Sequence, residues 1–494
     1  MALELPRNLQ ALLPYLFLAV LGFLLRRKFT PPISHIKGPW LASVSTLWQI
    51  YHTAKGDIEY AVQKEHQKYG DFVRIGYNEV SCSHPDSIAA ILAPSYKKAD
   101  WYQALAVPDK HHQTPMSECD PKRHRERSSI TASSYTLTNL IKSEKIVDTC
   151  IQELQEQLKK LASLGEAVNF EDWLNYVSFD VIGELTFSQR LGFVGKGEDI
   201  GNSISSMRFL MIYQAVMGYM YWLHPFILHS PFSGYLGLKP HAHIFETVSA
   251  AVEKRQDNPK SRHDMVSQWI NNQRKWPERM EEREILAVAS MTTIAGSETM
   301  TGALSNMFYF LLKNPDCMTK LKRELNQAQA AGELSPVVLH VEAKKLPYLQ
   351  ACIKETLRYF APVPFGLPRV APKDGITLGD HHFEAGTILS VNPFVIQRDR
   401  RYFGEDAEVF NPERWLRPEA SRYEKYLITF GTGYNGCPGK QFAFAEIGKI
   451  TATLVRDFDF EFEKLGTDWQ HRSHFTIAQS NWPVRIREAA PVEN

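Results

Sequence analysis

Phe430-Gly431-Thr432-Gly433-Tyr434-Asn435-Gly436-Cys437-Pro438-Gly439 is the stretch on which the reading of this chain turns. Glycines crowd around a single cysteine, and an amphipathic segment, 440–456, follows at once. Glycine reaches backbone conformations of positive φ and lets a bulky, flat partner come close. A cysteine at the start of a helix sits in a positive field that favours its thiolate. A thiolate so held serves as a nucleophile, a redox thiol or an iron ligand. The competing reading is a buried cysteine in a tight turn, the commoner fate of this residue.

Outward from this loop, helical periodicity dominates. Apolar residues recur at three- and four-residue intervals over 147–161, 172–185, 282–313, 316–325 and 349–358. The longest of these stops at Asn314-Pro315, where proline disfavours helix in the residue before it. Strand-like pieces gather at 71–83 and at 375–391, the latter broken by Gly379 and Gly386. The pattern predicts one large, mainly α unit with a small β subdomain. Hydrophobic residues at 44% of 494 positions supply a sizeable core and exclude a disordered chain. A net charge of +1 argues against a nucleic-acid binder, which needs a strongly basic face. Six cysteines without C-x-x-C spacing argue against a disulfide scaffold or structural zinc. Cys82, Cys119, Cys150, Cys317 and Cys352 are read as inert, and His111-His112 and His381-His382 as exposed loop residues.

The amino terminus reads differently. Between Asn8 and Leu25 no residue is charged, and Arg26, Arg27 and Lys28 follow immediately. That length is near the lower limit for a bilayer span, and basic residues favour the cytosolic side. A cleaved secretory signal carries its basic residues in front, so a retained anchor is the better reading. Residues 1–28 are expected to form a membrane anchor with a basic stop. Residues 29–45 then form a proline-containing hinge, and 46–494 the catalytic domain.

Four motifs, in order along the chain, give a resemblance. Phe430, Gly431, Gly433, Cys437 and Gly439 resemble the haem-binding signature of the cytochrome P450 family, the haem-thiolate monooxygenases. Ala295-Gly296-Ser297-Glu298-Thr299 resembles the family's oxygen-activation motif on its long central helix. Glu355-Thr356-Leu357-Arg358 matches its E-x-x-R motif, and Pro412-Glu413-Arg414-Trp415 its P-E-R-F/W motif. Leu346-Pro347-Tyr348-Leu349 and Gly436-Cys437-Pro438-Gly439-Lys440 look most similar to fungal microsomal members.

The resemblance implies the cytochrome P450 fold, a long central helix over haem with the cysteine loop below. It implies haem b (iron protoporphyrin IX) with Cys437 as the axial iron ligand and Phe430 shielding the sulfur. Gly431 and Gly439 belong to the haem-binding loop, and Ala295, with Gly296, lets the central helix pass close over a flat ring. Glu298 and Thr299 become the catalytic pair that delivers protons, with the Thr299 hydroxyl bonding locally and opening a notch in the helix. Glu355, Arg358 and Arg414 become a structural charged cluster.

Two stretches depart from the family pattern. Asn435 replaces the usual arginine two places before the cysteine. In His124-Arg125-Glu126-Arg127-Ser128, His124 takes the usual tryptophan position and Ser128 the arginine position, with Arg127 one place off. Arg369 matches a further partner of the haem propionates. The competing reading of 122–127 is a solvated basic face.

The function implied is insertion of one oxygen atom from O2 into a hydrophobic small molecule, as a step in fungal secondary-metabolite biosynthesis. Electrons would come from NADPH–cytochrome P450 reductase, with cytochrome b5 a further partner, at the endoplasmic reticulum membrane with the body in the cytosol. The segment 207–221, rich in flexible apolar side chains, is read as core, membrane-facing surface or substrate roof. Two alternatives stand beside this: oxidative cyclisation, desaturation or rearrangement on the same haem fold, and a membrane-tethered haem-binding protein without catalysis.

Overall fold

A 32-residue helix, Glu282–Lys313, organises the molecule. At about 1.5 Å per residue it is roughly 48 Å long. Its residues from Ile285 to Leu311 are buried on almost every face, so it is hydrophobic without a marked polar side. Glu281 and Glu284 close its start with a reciprocal capping box, and the chain leaves it at Asn314 before Pro315. In the computed structural model, residues 7–106, 111–228, 242–257, 264–464, 466 and 468–490 are described.

Helices Phe170–Phe187, Pro347–Tyr359 and Lys440–Asp457 pack against this central helix, and Leu137–Leu164 packs against the first and third of them. Gly296 is a point of close contact. A Cβ there would stand 2.6 Å from Ile182 of the Phe170–Phe187 helix, so the missing side chain accommodates a neighbouring helix.

A four-stranded sheet lies beside the helical body, ordered Phe72–Gly76, Glu79–Cys82, Ile388–Ser390, Arg369–Val370. The first two strands form an antiparallel hairpin. The second pairs in parallel with the third, Val80 opposite Leu389, and the third pairs antiparallel with the fourth, Leu389 opposite Arg369. The strand-like stretch 375–391 resolves into three short strands, Ile376–Leu378, His381–Phe383 and Ile388–Ser390. Gly379 and Gly386 reverse the chain between them at φ 54° and 82°, angles that side-chain-bearing residues rarely adopt.

At the amino terminus a 23-residue helix, Arg7–Phe29, exposes Tyr15, Leu16, Leu18 and Phe23. The anchor expected over 1–28 lies in part outside the described residues. Among the described residues no helix is long and apolar enough to cross a membrane. The body grips the end of this helix. The buried Arg74 guanidinium donates to the carbonyls of Arg27 at 2.9 Å, Lys28 at 3.0 Å and Tyr77 at 2.8 Å. Residues 29–45 are packed, with Ile33, Ile36, Ala42 and Val44 all buried.

Candidate active site

The loop 430–439 is shaped by its own backbone. The Cys437 amide donates to the Phe430 carbonyl at 2.8 Å, closing the loop into a compact turn directly before the helix Lys440–Asp457. Gly433 sits at φ 62°, and a Cβ on it would lie 2.4 Å from the Ala93 carbonyl oxygen; only glycine fits there. The Phe430 ring rests 5.5 Å from that of Phe444.

Cys437 is open to an internal cavity of about 510 Å³. Burial pushes its thiol up, while the amides of Gly439 and Lys440 and the Lys440 charge pull the other way. The pull of the helix start toward the thiolate is present, but burial outweighs it. A cation above the sulfur is what would tip the balance.

The residues expected to bind the cofactor or to carry protons all line this one cavity: Cys437, Phe430, Gly431, Gly439, Asn435, Arg369, His124, Ala295, Glu298 and Thr299. Ala295, Glu298 and Thr299 come from the central helix. Glu298 is buried on the central helix with Oε1 unpartnered, and burial raises its carboxyl to about 7 against the opposing charge of Arg208. Thr299 Oγ1 donates to the Ala295 carbonyl at 2.6 Å, while the helix runs unbroken through this position. The local bond expected of this hydroxyl is present, reaching back one turn to a carbonyl of the same helix.

On another wall, cations gather. Arg369 donates to the Tyr102 hydroxyl at 3.3 Å and the Pro368 carbonyl at 3.0 Å, leaving Nε without a partner. His124 packs 4.6 Å from the Tyr434 ring with Nδ1 unpartnered. Burial, then the charges of Lys98 and Arg369, push its imidazole down to about 3. Neither polar atom of the Asn435 amide has a partner.

Lys98 carries no motif that marks it in the sequence. It is buried, donates to the carbonyls of Pro115 and Met116 at 2.7 Å each, and lines the cavity. Burial and the Arg369 charge bring it down to about 7. Mutually repelling cations beside orphaned donors fit an anionic group in the cavity, as the carboxylates of a porphyrin would be. With a thiol open to the same space, the residues present fit haem.

Arg127, one place off the family position, is occupied elsewhere. Its guanidinium holds Glu118 and Glu284, tying the helix Pro121–Thr131 to the start of the central helix. The cavity receives Ser128 instead. Helix 121–131 is therefore no solvated basic face throughout, since His124 and Arg127 point inward. Two further features were missed. Glu446, on the helix after the cysteine, is a cavity-lining carboxyl raised to about 8 by burial. Tyr135 and Thr292 share a 2.8 Å hydroxyl pair in the same wall. Both carry ordinary helical spacing, which says nothing of a cavity.

Behind the loop, Glu355 accepts from Arg358 Nε at 2.9 Å, from the Trp415 indole at 2.9 Å and from the Asn411 amide at 2.7 Å. Arg358 donates onward to the carbonyls of Gln397 and Ala407 at 2.7 Å each. Thr429, next to Phe430, donates to the Leu357 carbonyl at 2.7 Å and so fastens the cysteine loop to this buried network.

The comparisons agree with this geometry. A family model described as Cytochrome P450 matches residues 37–483. The chain is 32% identical over 469 residues to the cytochrome P450 monooxygenase cicH of Emericella nidulans, covering 92% of this chain and 94% of that protein. It is 33% identical over 454 residues to a cytochrome P450 monooxygenase of Aspergillus terreus, covering 86% and 90%. To the cytochrome P450 monooxygenase gsfF of Penicillium aethiopicum it is 29% identical over 472 residues, covering 92% and 93%. A mainly helical chain, matched along almost its whole length and closing a cavity over one cysteine, belongs to the cytochrome P450 family of haem monooxygenases.

Proposed function

We propose that Cys437 holds the iron of haem b in this cavity, and that the chain inserts one oxygen atom from O2 into a hydrophobic small molecule. The observation that carries this reading is the convergence of an accessible thiol with orphaned cationic and amide donors on one internal space. When bound, haem supplies an iron centre at which oxygen is activated, with the thiolate pushing electron density onto the metal.

The chain's own residues do the rest. Gly439 and Lys440 offer backbone amides to the sulfur and steady its charge. Arg369, His124, Lys98 and Asn435 receive the carboxylates of the ring. Glu298, raised to about 7, keeps a proton available at neutral pH in a wall closed to bulk water. Thr299, released from the Ala295 carbonyl by a rotation of its hydroxyl, would pass that proton across the cavity. Met116, Met211, Met265, Met291 and Met300 form an adaptable apolar wall suited to a hydrophobic substrate.

Electrons are assigned to NADPH–cytochrome P450 reductase, with cytochrome b5 as a second donor. Placement at the endoplasmic reticulum membrane is supported by the helix Arg7–Phe29, its exposed apolar residues and its closing Arg26-Arg27-Lys28. A role in fungal secondary metabolism is supported by the likeness to fungal monooxygenases. The test is a carbon monoxide difference spectrum of the reduced protein. The wild type gives the haem-thiolate Soret band and Cys437→Ala does not; a band that survives the substitution overturns the proposal.

A further inference from the structure

The roof of the cavity is the helix Ser203–Met217, and its inward face breaks its own pattern. Ser203, Ile204, Met207, Leu210, Met211, Gln214, Ala215 and Met217 are buried, while Phe209 and Ile212 face out. Helical spacing therefore turns Gln214, three residues after Met211 and seven after Met207, toward the core. It is 1% exposed and lines the cavity, yet neither its amide nitrogen nor its amide oxygen has a hydrogen-bond partner.

A carboxamide buried with both ends unsatisfied is costly, and a residue of the same size without polar atoms would fill the space. The position is also held firmly. The Trp101 indole donates to the carbonyl of Ala215, the next residue, at 3.1 Å, and its ring stacks 4.7 Å from Phe365. A Cβ at Gly218 would strike that indole at 2.2 Å, so the roof helix ends tight against it. The cavity that Gln214 lines also presents many apolar side chains, among them Leu105, Met211, Met291 and Ile294.

We propose that Gln214 is the group that selects and orients the substrate: its amide pairs with an adjacent N–H and C=O on an otherwise apolar molecule. The substrate class is an aromatic or terpenoid-sized lactam or carboxamide. Gln214 accepts from the substrate N–H and donates to the substrate carbonyl, so the ligand supplies both missing partners at once. This rests on the monooxygenase reading of the cavity and adds to it the chemistry of what enters.

The test uses calorimetry on the purified holoenzyme with two probes of matched shape, quinolin-2-one and coumarin, in which a ring oxygen replaces the N–H. The wild type should bind the lactam about tenfold or more tightly than coumarin. Gln214→Met should abolish that preference. The same substitution should raise the melting temperature of the ligand-free holoenzyme, because it removes an unsatisfied buried amide. Equal affinities in the wild type, a preference that survives in Gln214→Met, or no binding of either probe overturns the assignment. So does a melting temperature no higher than that of the wild type, which would mean the amide is already satisfied within the fold. The reduced carbon monoxide spectrum of the same preparation reports on the haem reading separately.

Discussion

Glu355 and Arg414 lie 59 positions apart in the chain and meet at 3.1 Å, with neither side chain retaining any exposure to solvent. Arg414 also donates to the Phe403 carbonyl at 2.7 Å and to Asp406 Oδ1 at 2.9 Å, so the pair stands inside a fully bonded network. That network backs the helix from which Leu357 accepts the Thr429 hydroxyl, immediately before the cysteine loop.

Replacing Glu355 with Gln should destabilise the fold by about 3–5 kcal/mol, because two buried guanidinium groups lose their counter-charge. Burial alone would raise this carboxyl, but Arg358 and Arg414 hold it below the ordinary carboxylate range. The folded state then binds the proton more weakly than the unfolded chain does. The stabilisation is complete above about pH 4.3, the unfolded value, and fades as the pH falls below it. Denaturant unfolding at about pH 7 should show the full gap between wild type and Glu355→Gln. The gap should narrow toward about pH 3.

Thr299→Ala should leave haem binding intact and lower product formed per NADPH consumed by about tenfold or more, with hydrogen peroxide taking up the difference. Simultaneous measurement of NADPH, product and peroxide checks this. Unchanged coupling would remove Thr299 from the proton route.

Glu298 gives the reaction a pH dependence of known sign. Its carboxyl is raised to about 7 by burial, so the proton-bearing form is lost as the pH rises through that value. Coupling should fall on the alkaline side of about pH 7, and Glu298→Gln should be poorly coupled at every pH with that step flattened. A profile identical in wild type and variant would count against the assignment.

Haem retention should depend on the cationic wall. Lys98→Met and Arg369→Leu should each speed haem transfer to a scavenging globin by about tenfold, the scale of one lost charge-assisted hydrogen bond. Asn435→Arg should slow it, since the amide at this position has no partner in the protein. Transfer rates indifferent to all three would mean the carboxylates of the ring lie elsewhere.

Gly433→Ala should weaken the cysteine loop by about 1–3 kcal/mol, because alanine is strained at φ 62° and its methyl would overlap the Ala93 backbone. The readout is haem content together with the thermal melting of the holoenzyme, both of which should fall.

What the amino-acid order revealed was local chemistry, and what it hid was burial. Cys437 and its glycines, the Glu298-Thr299 pair and Glu355 with Arg358 announce themselves because residue type and spacing are the signal. Lys98 and Glu446 do not, because a charged residue beside another charge or on a helix reads as solvated until the surrounding elements close over it. Arg127 shows the same limit from the other side. It stood one place from a family position, and only the meeting of three segments assigns it to Glu118 and Glu284. The 375–391 stretch was legible as strand and its breaks at Gly379 and Gly386 as well, because a glycine's positive φ is a local property; which strands then pair was not.

The Arg74 grip on the end of the N-terminal helix joins two regions that sequence numbering keeps far apart. Arg74 sits in the strand Phe72–Gly76, two ladder steps from Ile388–Ser390 and three from Arg369–Val370. An unbroken series of hydrogen bonds thus runs from the carbonyls that end the helix Arg7–Phe29, through the sheet, to the strand that carries Arg369. A helix with solvent-facing apolar residues and a buried charge on the cavity wall are thereby fastened to the same small sheet.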